Sequence, residues 1–224
     1  MSFLVIAIDG PSGVGKSTLS RLLADKLGGL YVDTGAMFRC LAWRWQQLDF
    51  PEEEKELLNL GLNTKIKMSS SQIWCNEIDV TQLIRTEKIS ELSSRISRFS
   101  VIRDIMKQKQ QQLVKDVRKT GSHKAAVLEG RDIGTVVFPD ADLKFFVDAS
   151  LEIRAQRRVD QLIEKGEKAD FESVYLGLKE RDTKDRSRVV APLQPAKDAI
   201  MIDTGGIVLQ EVLESMYRHI ESIN

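Results

Sequence analysis

The chain has 224 residues, 42% hydrophobic and 29% charged, which suits one compact domain with an insertion, or two small ones, and excludes the disordered and fibrous classes. Lys plus Arg total 33 and so do Asp plus Glu, so the net charge of zero argues against general affinity for nucleic acid or an anionic membrane. The longest apolar run, Phe3 to Ile8, is six residues against the ~20 that span a bilayer, and nothing around it resembles a signal peptide, so the expectation is a cytoplasmic protein.

Phe3 to Ile8 has the wholly apolar composition of a strand buried on both faces of a parallel sheet. It runs into Gly10-Pro11-Ser12-Gly13-Val14-Gly15-Lys16-Ser17-Thr18, after which Leu19, Leu22, Leu23, Ala24 and Leu27 recur at helical spacing until Gly28-Gly29 stops them. Leu30 to Val32 predicts a second strand ending at Asp33-Thr34-Gly35, and Met37 to Leu48 a second helix, completing a first βαβ unit. From Thr64 to Val80 the pattern changes to alternation, with Asn76-Glu77 as a hairpin turn, which predicts a small inserted antiparallel unit. Glu87 to Arg118 is polar and Gln-rich with an apolar helical stripe and fits one or two helices. Ala125 to Leu128, Leu143 to Val147 and Ala199 to Ile202 predict three more buried strands. Helices over Leu151 to Lys165, Phe171 to Arg186 and Val208 to Ile220 fill the intervals.

Gly10-x-x-x-x-Gly15-Lys16-Ser17 is a complete phosphate-loop pattern, set between a strand and a helix as its chemistry requires. Its glycines let backbone N–H groups turn toward phosphate oxygens, the helix N-terminus adds its positive end, Lys16 reaches the β and γ phosphates, and Ser17 binds Mg²⁺. The loop does not say what receives the phosphoryl group. A GTPase would carry an Asn-Lys-x-Asp segment, and there is none. Asp33-Thr34-Gly35 faces the carboxyl edge of the sheet, where such folds bind ligands, although a turn and helix cap is the plainer reading. Arg39 lies one helical turn beyond Gly35, at that edge or simply in solvent. Glu129-Gly130-Arg131-Asp132 emerges at the same edge, with Glu129 placed to hold Mg²⁺ through water; a structural ion pair is the alternative.

Six of the 16 arginines fall between Arg154 and Arg188, so that stretch is expected to meet a compact anion. Arg181, Asp185 and Arg188 share one face if the helix runs that far, and Arg154, Arg157 and Arg158 share another; by spacing alone each is also a solvated, salt-bridged face. Cys40 and Cys75 are isolated, and the only histidines are His123 and His219, which excludes a disulfide framework and a zinc site.

Five segments together resemble the bacterial cytidylate kinase family over nearly the whole chain. They are Ile8 through Thr18, Asp33-Thr34-Gly35-Ala36-Met37-Phe38-Arg39, Asp79-Val80-Thr81 with Ile84-Arg85-Thr86, Gly130 through Ala141, and Glu180-Arg181-Asp182 through Arg188 with Ala191-Pro192-Leu193. The resemblance implies phosphorylation of CMP and dCMP from ATP with Mg²⁺, and a nucleoside-monophosphate-kinase type of P-loop α/β fold. In that fold a five-stranded parallel sheet lies between helices. The core is 1–62 and 101–224, an inserted CMP-binding unit covers about 63–100, and a short lid about 151–168.

By the same resemblance, residues Gly10 to Thr18 hold ATP, with Arg154, Arg157 and Arg158 in the lid over it. Arg39 and Arg131 hold the CMP phosphate, and Thr34 joins the acceptor site. Ser94, Arg103, Asp132 and Arg188 surround the cytosine, and Arg181 with Asp185 holds the ribose. Lys16, Arg131, Arg181 and Arg188 are the residues expected to act on the transferring group. A monomer with small-molecule partners only is expected. The chain departs from the family in carrying Asn76-Glu77 where an Asn-Gly turn is usual, and in a longer stretch from Lys107 to Lys124.

A phosphate oxygen that attacks is already largely ionised at pH 7, its second pKa being ~6, so no strong base is needed and arginines must instead bring two polyanions together. A kinase acting on a hydroxyl would want a carboxylate base such as Asp33. A nucleotide-sensing module would lack the acceptor arginines. The number of arginines argues against both.

Overall fold

The computed structural model describes residues 3–69 and 72–223. In chain order the elements are β1 (Leu4–Asp9), α1 (Lys16–Leu27), β2 (Leu30–Asp33), α2 (Thr34–Gln47), α3 (Glu54–Asn63), β3 (Ile66–Met68), β4 (Ile73–Cys75), β5 (Ile78–Asp79), α4 (Glu87–Ile96) and α5 (Ser100–Thr120). They continue with β6 (Ala125–Gly130), β7 (Leu143–Asp148), α6 (Leu151–Glu164), α7 (Phe171–Arg186), β8 (Ile200–Asp203) and α8 (Leu209–Glu221). The chain divides into two units, 1–31 with 121–224 and 32–120. The second is wider than the insertion expected at about 63–100, because α2, α3 and α5 group with the small sheet.

The apolar runs form a five-stranded sheet in the order β2-β6-β1-β7-β8, with β1 parallel to β6 and β7, and β7 parallel to β8. Burial on both faces explains why β1 and β6 carry no alternation: every residue of each is buried. Ile6, Ile8, Val127, Phe145 and Val147 meet Leu19 and Leu23 of α1 and Leu213 and Met216 of α8 in one core. α1 stops at Gly28, which takes the left-handed conformation and returns its N–H to the carbonyls of Ala24 and Asp25. In register, Ile8 pairs with Glu129 and Asp9 with Gly130, which brings the polar ends of two buried strands side by side at the carboxyl edge.

In the second unit, β3, β4 and β5 form an antiparallel sheet, and Leu41, Trp45, Leu57, Ile84, Ile96 and Ile102 are buried among the helices. Asp33 caps α2 by accepting from the Ala36 N–H at 2.7 Å, and Thr86 caps α4. The Gln-rich stretch resolves into two helices, broken at Ser97–Phe99. Among the described residues three elements lie outside the sequence expectation: α3, a 3-10 turn over Leu83–Arg85, and a π-helical turn over Ile133–Val137.

Asn76 and Glu77 both have positive φ, 46° and 72°, the backbone of the tight hairpin turn that the Asn-Gly pair normally supplies. Asn76 also locks the turn by accepting the Lys65 N–H at 2.7 Å. Glu77 carries a side chain where left-handed backbone costs about 1–2 kcal/mol. Glu77→Gly is therefore expected to raise stability by about 1 kcal/mol after the loss of unfolded-chain entropy is allowed for. A urea midpoint that moves upward checks this, and an unchanged or lower midpoint contradicts it.

Candidate active site

The phosphate loop joins β1 to α1. Gly10 is there because a Cβ would meet the Val147 carbonyl oxygen at 2.0 Å, and Gly15, at φ 93°, precedes a helix with no side-chain cap. The first N–H groups of α1 are thus left to a ligand, and the positive end of the helix faces it. Lys16 is buried and its Nζ donates to the Pro11 carbonyl at 2.5 Å, while Ser17 and Thr18 are exposed. The loop is supported from beneath. Thr204, just past β8, donates to the Val14 carbonyl at 2.9 Å, and Arg154 of α6 donates to the Ser12 carbonyl at 3.2 Å.

At the ends of the neighbouring strands stand Asp9 and Glu129, each 5% exposed. The Asp9 carboxylate accepts the N–H groups of Ile133 and Gly134 at 2.9 and 2.8 Å, capping a π turn whose own bonds run from the Val137 and Phe138 N–H groups to the Asp132 and Ile133 carbonyls. Burial pushes Asp9 up to about 6 against the pull of those two N–H groups. Glu129 accepts the hydroxyl hydrogen of Tyr31.

Arg131 leaves the end of β6 and divides its donors. Nη2 reaches Ser12 Oγ at 2.7 Å, Nε reaches Asp185 Oδ2 at 3.1 Å, and Nη1 reaches the Gly130 carbonyl at 3.1 Å. Asp185, 2% exposed, also pairs with Arg188. Burial would raise its pKa, but the guanidiniums of Arg131, Arg188 and Arg181 outweigh that and hold the carboxyl below its usual range. The sequence expectation of one helical face meets a difference here. α7 ends at Arg186, and Arg188 returns to Asp185 from the turn beyond it. Asp132 is buried at the mouth of the π turn, where its carbonyl accepts from Val136 and Val137.

The three arginines expected in a lid separate. Arg154, 5% exposed, binds the carbonyls of Ala149 and Ser12 and the carboxylate of Asp182. Arg157 binds the Thr204 hydroxyl and carbonyl at 3.1 and 2.6 Å. The Arg158 side chain is half-buried and has no hydrogen-bond or ion-pair partner among the described residues.

The second unit holds the remaining candidates. Arg39 pairs with Asp33 at 3.0 Å one turn into α2, where Thr34 is buried. Arg103 of α5 is 7% exposed, lies 5.7 Å over the Phe38 ring and donates to the Ser97 carbonyl at 3.2 Å. Ser94 is half-buried on α4, and its carbonyl accepts the Ser97 hydroxyl. Sequence reasoning overlooked Tyr31, Asp182 and Thr204. The one local clue was a polar residue directly after a strand, which describes Thr204.

A family model described as cytidylate kinase matches residues 6–222. The cytidylate kinase of Nitratidesulfovibrio vulgaris strain Hildenborough is 44% identical over 223 residues, covering 97% of this chain and 93% of its own. That of Geobacter sulfurreducens is 42% identical, with coverages of 95% and 91%. A bifunctional pantoate ligase/cytidylate kinase of Prochlorococcus marinus strain NATL1A is 41% identical over 95% of this chain, which corresponds to 41% of the larger protein.

Burial lowers Lys16 to about 7, with repulsion from Arg131 adding to the shift and Glu129 and Asp9 opposing it. A triphosphate against Nζ favours the charged form and raises that pKa on binding. At pH 8 the free lysine is largely neutral, so ATP binding is expected to take up a proton; near pH 6 it is already charged and uptake vanishes. Calorimetry in buffers of different ionisation heat measures this. Uptake near zero at pH 8, or equal uptake in Lys16→Met, contradicts the assignment.

Proposed function

The chain belongs to the cytidylate kinase family, and from that premise we propose that it transfers the γ-phosphoryl group of ATP to CMP and dCMP, giving ADP with CDP or dCDP. The observation that carries this reading is the convergence of Arg131 and Arg188 on the buried carboxylate of Asp185, with Arg131 also joined to Ser12 of the phosphate loop. A donor that binds at the loop and an acceptor that carries a phosphate both need positive charge at this edge. Arg131 and Arg188, half-buried and paired on the one buried carboxylate of Asp185, supply it in this reading.

The reaction needs charge neutralisation and in-line geometry more than proton transfer. The backbone of Gly10 to Thr18 and Lys16 hold the β and γ phosphates. Arg131, Arg181 and Arg188 follow the charge as it moves to the acceptor, and Asp185 with Arg181 takes the ribose. The family resemblance assigns Asp132, Arg188, Ser94 and Arg103 to the base, and Thr34 and Arg39 to the acceptor phosphate. Arg158, without a partner among the described residues, covers the donor phosphates. The donor set fits Mg²⁺, a hard cation that keeps its waters and binds one or two protein oxygens together with phosphate: Ser17 is exposed at the first turn of α1, and the Glu129 carboxylate ends the adjacent strand. When bound, Mg²⁺ supplies charge neutralisation between the phosphates. No described helix is long and apolar enough to cross a membrane. The reading includes a cytoplasmic monomer acting on small molecules in pyrimidine nucleotide metabolism, without nucleic acid.

Coupled ADP release with CMP, dCMP, UMP, AMP and shikimate tests the reading. Turnover with CMP and dCMP well above the others supports it, and a preference for shikimate overturns it. Cytosine offers a 4-amino donor where uracil has an acceptor, and an unpaired buried polar group costs ~1 to 3 kcal/mol, so CMP should exceed UMP at least about tenfold in kcat/KM. Asp132→Asn can donate to the uracil oxygen and is expected to shrink that ratio, chiefly by weakening CMP use. A ratio that holds or grows in a folded variant removes Asp132 from the base.

A further inference from the structure

Residue Ser12 is gripped twice, by two arginines that are each fixed by a carboxylate of α7. Arg131 donates to its hydroxyl and is held by Asp185; Arg154 donates to its carbonyl and is held by Asp182 at 2.6 Å. Asp182 and Asp185 stand three residues apart and are the buried positions of that helix. Arg154 is committed on three sides, since its Nε also donates to the Ala149 carbonyl at 3.0 Å. Its Cβ lies so close to Gly13 that a side chain there would meet it at 3.2 Å. The guanidinium is therefore packed under the phosphate loop, with a backbone oxygen of that loop among its acceptors. Nothing but Asp182 neutralises it among the described ion pairs.

Asp182 itself has little else to do. Its second oxygen, Oδ1, is buried and makes no hydrogen bond, so one ion pair sets the position of the carboxylate. A buried carboxylate with an unused oxygen is a costly way to stabilise a helix contact, because an apolar pair of similar volume does so without the desolvation cost. What the ion pair adds is a fixed direction for the Arg154 donors.

We propose that Asp182 is a positioning residue for the donor nucleotide, acting through Arg154 to hold the Ser12-Gly13 backbone in its phosphate-binding shape. This rests on the kinase reading above. Removing the charge leaves a buried guanidinium uncompensated beside the loop, and the loop backbone is the nearest thing free to follow it.

The test is Asp182→Asn, nearly the same shape without the charge, with Asp182→Glu as the rescue. ATP binding is measured by calorimetry without acceptor, and KM is measured for ATP and for CMP separately. ATP affinity is expected to fall about tenfold or more, the scale of a hydrogen bond to a charged group, with KM for CMP changing less than about threefold. Asp182→Glu should recover part of the loss. Unchanged ATP affinity, or equal rises in both KM values alongside a lowered melting temperature, overturns the proposal. If Asp182→Asn does not fold, Arg154→Lys keeps charge and ion pair but loses the forked donors, and it must weaken ATP in the same selective way. Calorimetry with ATP alone reads Asp182 even if CMP turns out not to be the acceptor, so the two readings fail separately.

Discussion

Asp185 is 2% exposed and receives the guanidiniums of Arg131 and Arg188 from opposite sides of the chain, with Arg181 contributing to the same field. Three cations and a buried lysine at one sheet edge would repel one another. Taken from water, each carries a desolvation cost of several kcal/mol. One carboxylate inside the group, with Asp182 on Arg154 and Asp9 and Glu129 near Lys16, lets the protein keep that concentration of positive charge before any phosphate arrives. Lys16 is buried in that field, and its burial, with repulsion from Arg131 added, is why its pKa lies low and why an incoming phosphate gains from meeting it.

The scaffold explains why the charge sits there. Strands buried on both faces must end somewhere, and the first backbone that can meet water again is at the carboxyl edge, where β1 and β6 finish side by side. Asp9 shows how tightly the edge is drawn: its carboxylate takes two N–H groups of the segment after Arg131 and so fixes the direction in which β6 continues. Thr204 and Arg154 then hold the phosphate loop by its carbonyls, leaving its N–H groups for the ligand. Binding energy is consequently not spent on shaping the loop.

Much of this was legible in the sequence because its cause is local. Six apolar residues before a glycine-rich loop, a Gly28 stop and a strand ending in Glu129-Gly130-Arg131-Asp132 each carry their own explanation. α3 was not legible: of its leucines, Leu57 and Leu60 are buried while Leu58 and Leu62 are exposed, and the acidic run before it reads as a loop. Ile133 to Val137 is β-branched except at Gly134, which favours an extended chain, yet it forms a π turn capped by the Asp9 carboxylate from a distant strand. The arginines were legible as a group but not in their division of labour. Arg154 is claimed by Asp182 on another helix, and Arg157 by Thr204, 47 residues away. Spacing along one helix cannot show which of Arg154, Arg157 and Arg158 is held by other parts of the chain.

The account rests on the claim that Asp185 is present to hold mutually repelling cations rather than to stabilise α7 by itself. A double-mutant cycle of unfolding free energy over Asp185→Asn and Arg131→Met measures that most directly. The account predicts that Asp185→Asn alone costs about 3 to 5 kcal/mol, the scale of breaking a buried pair, and that adding Arg131→Met recovers part of the loss, because one uncompensated charge is removed. Two losses that simply add would contradict it.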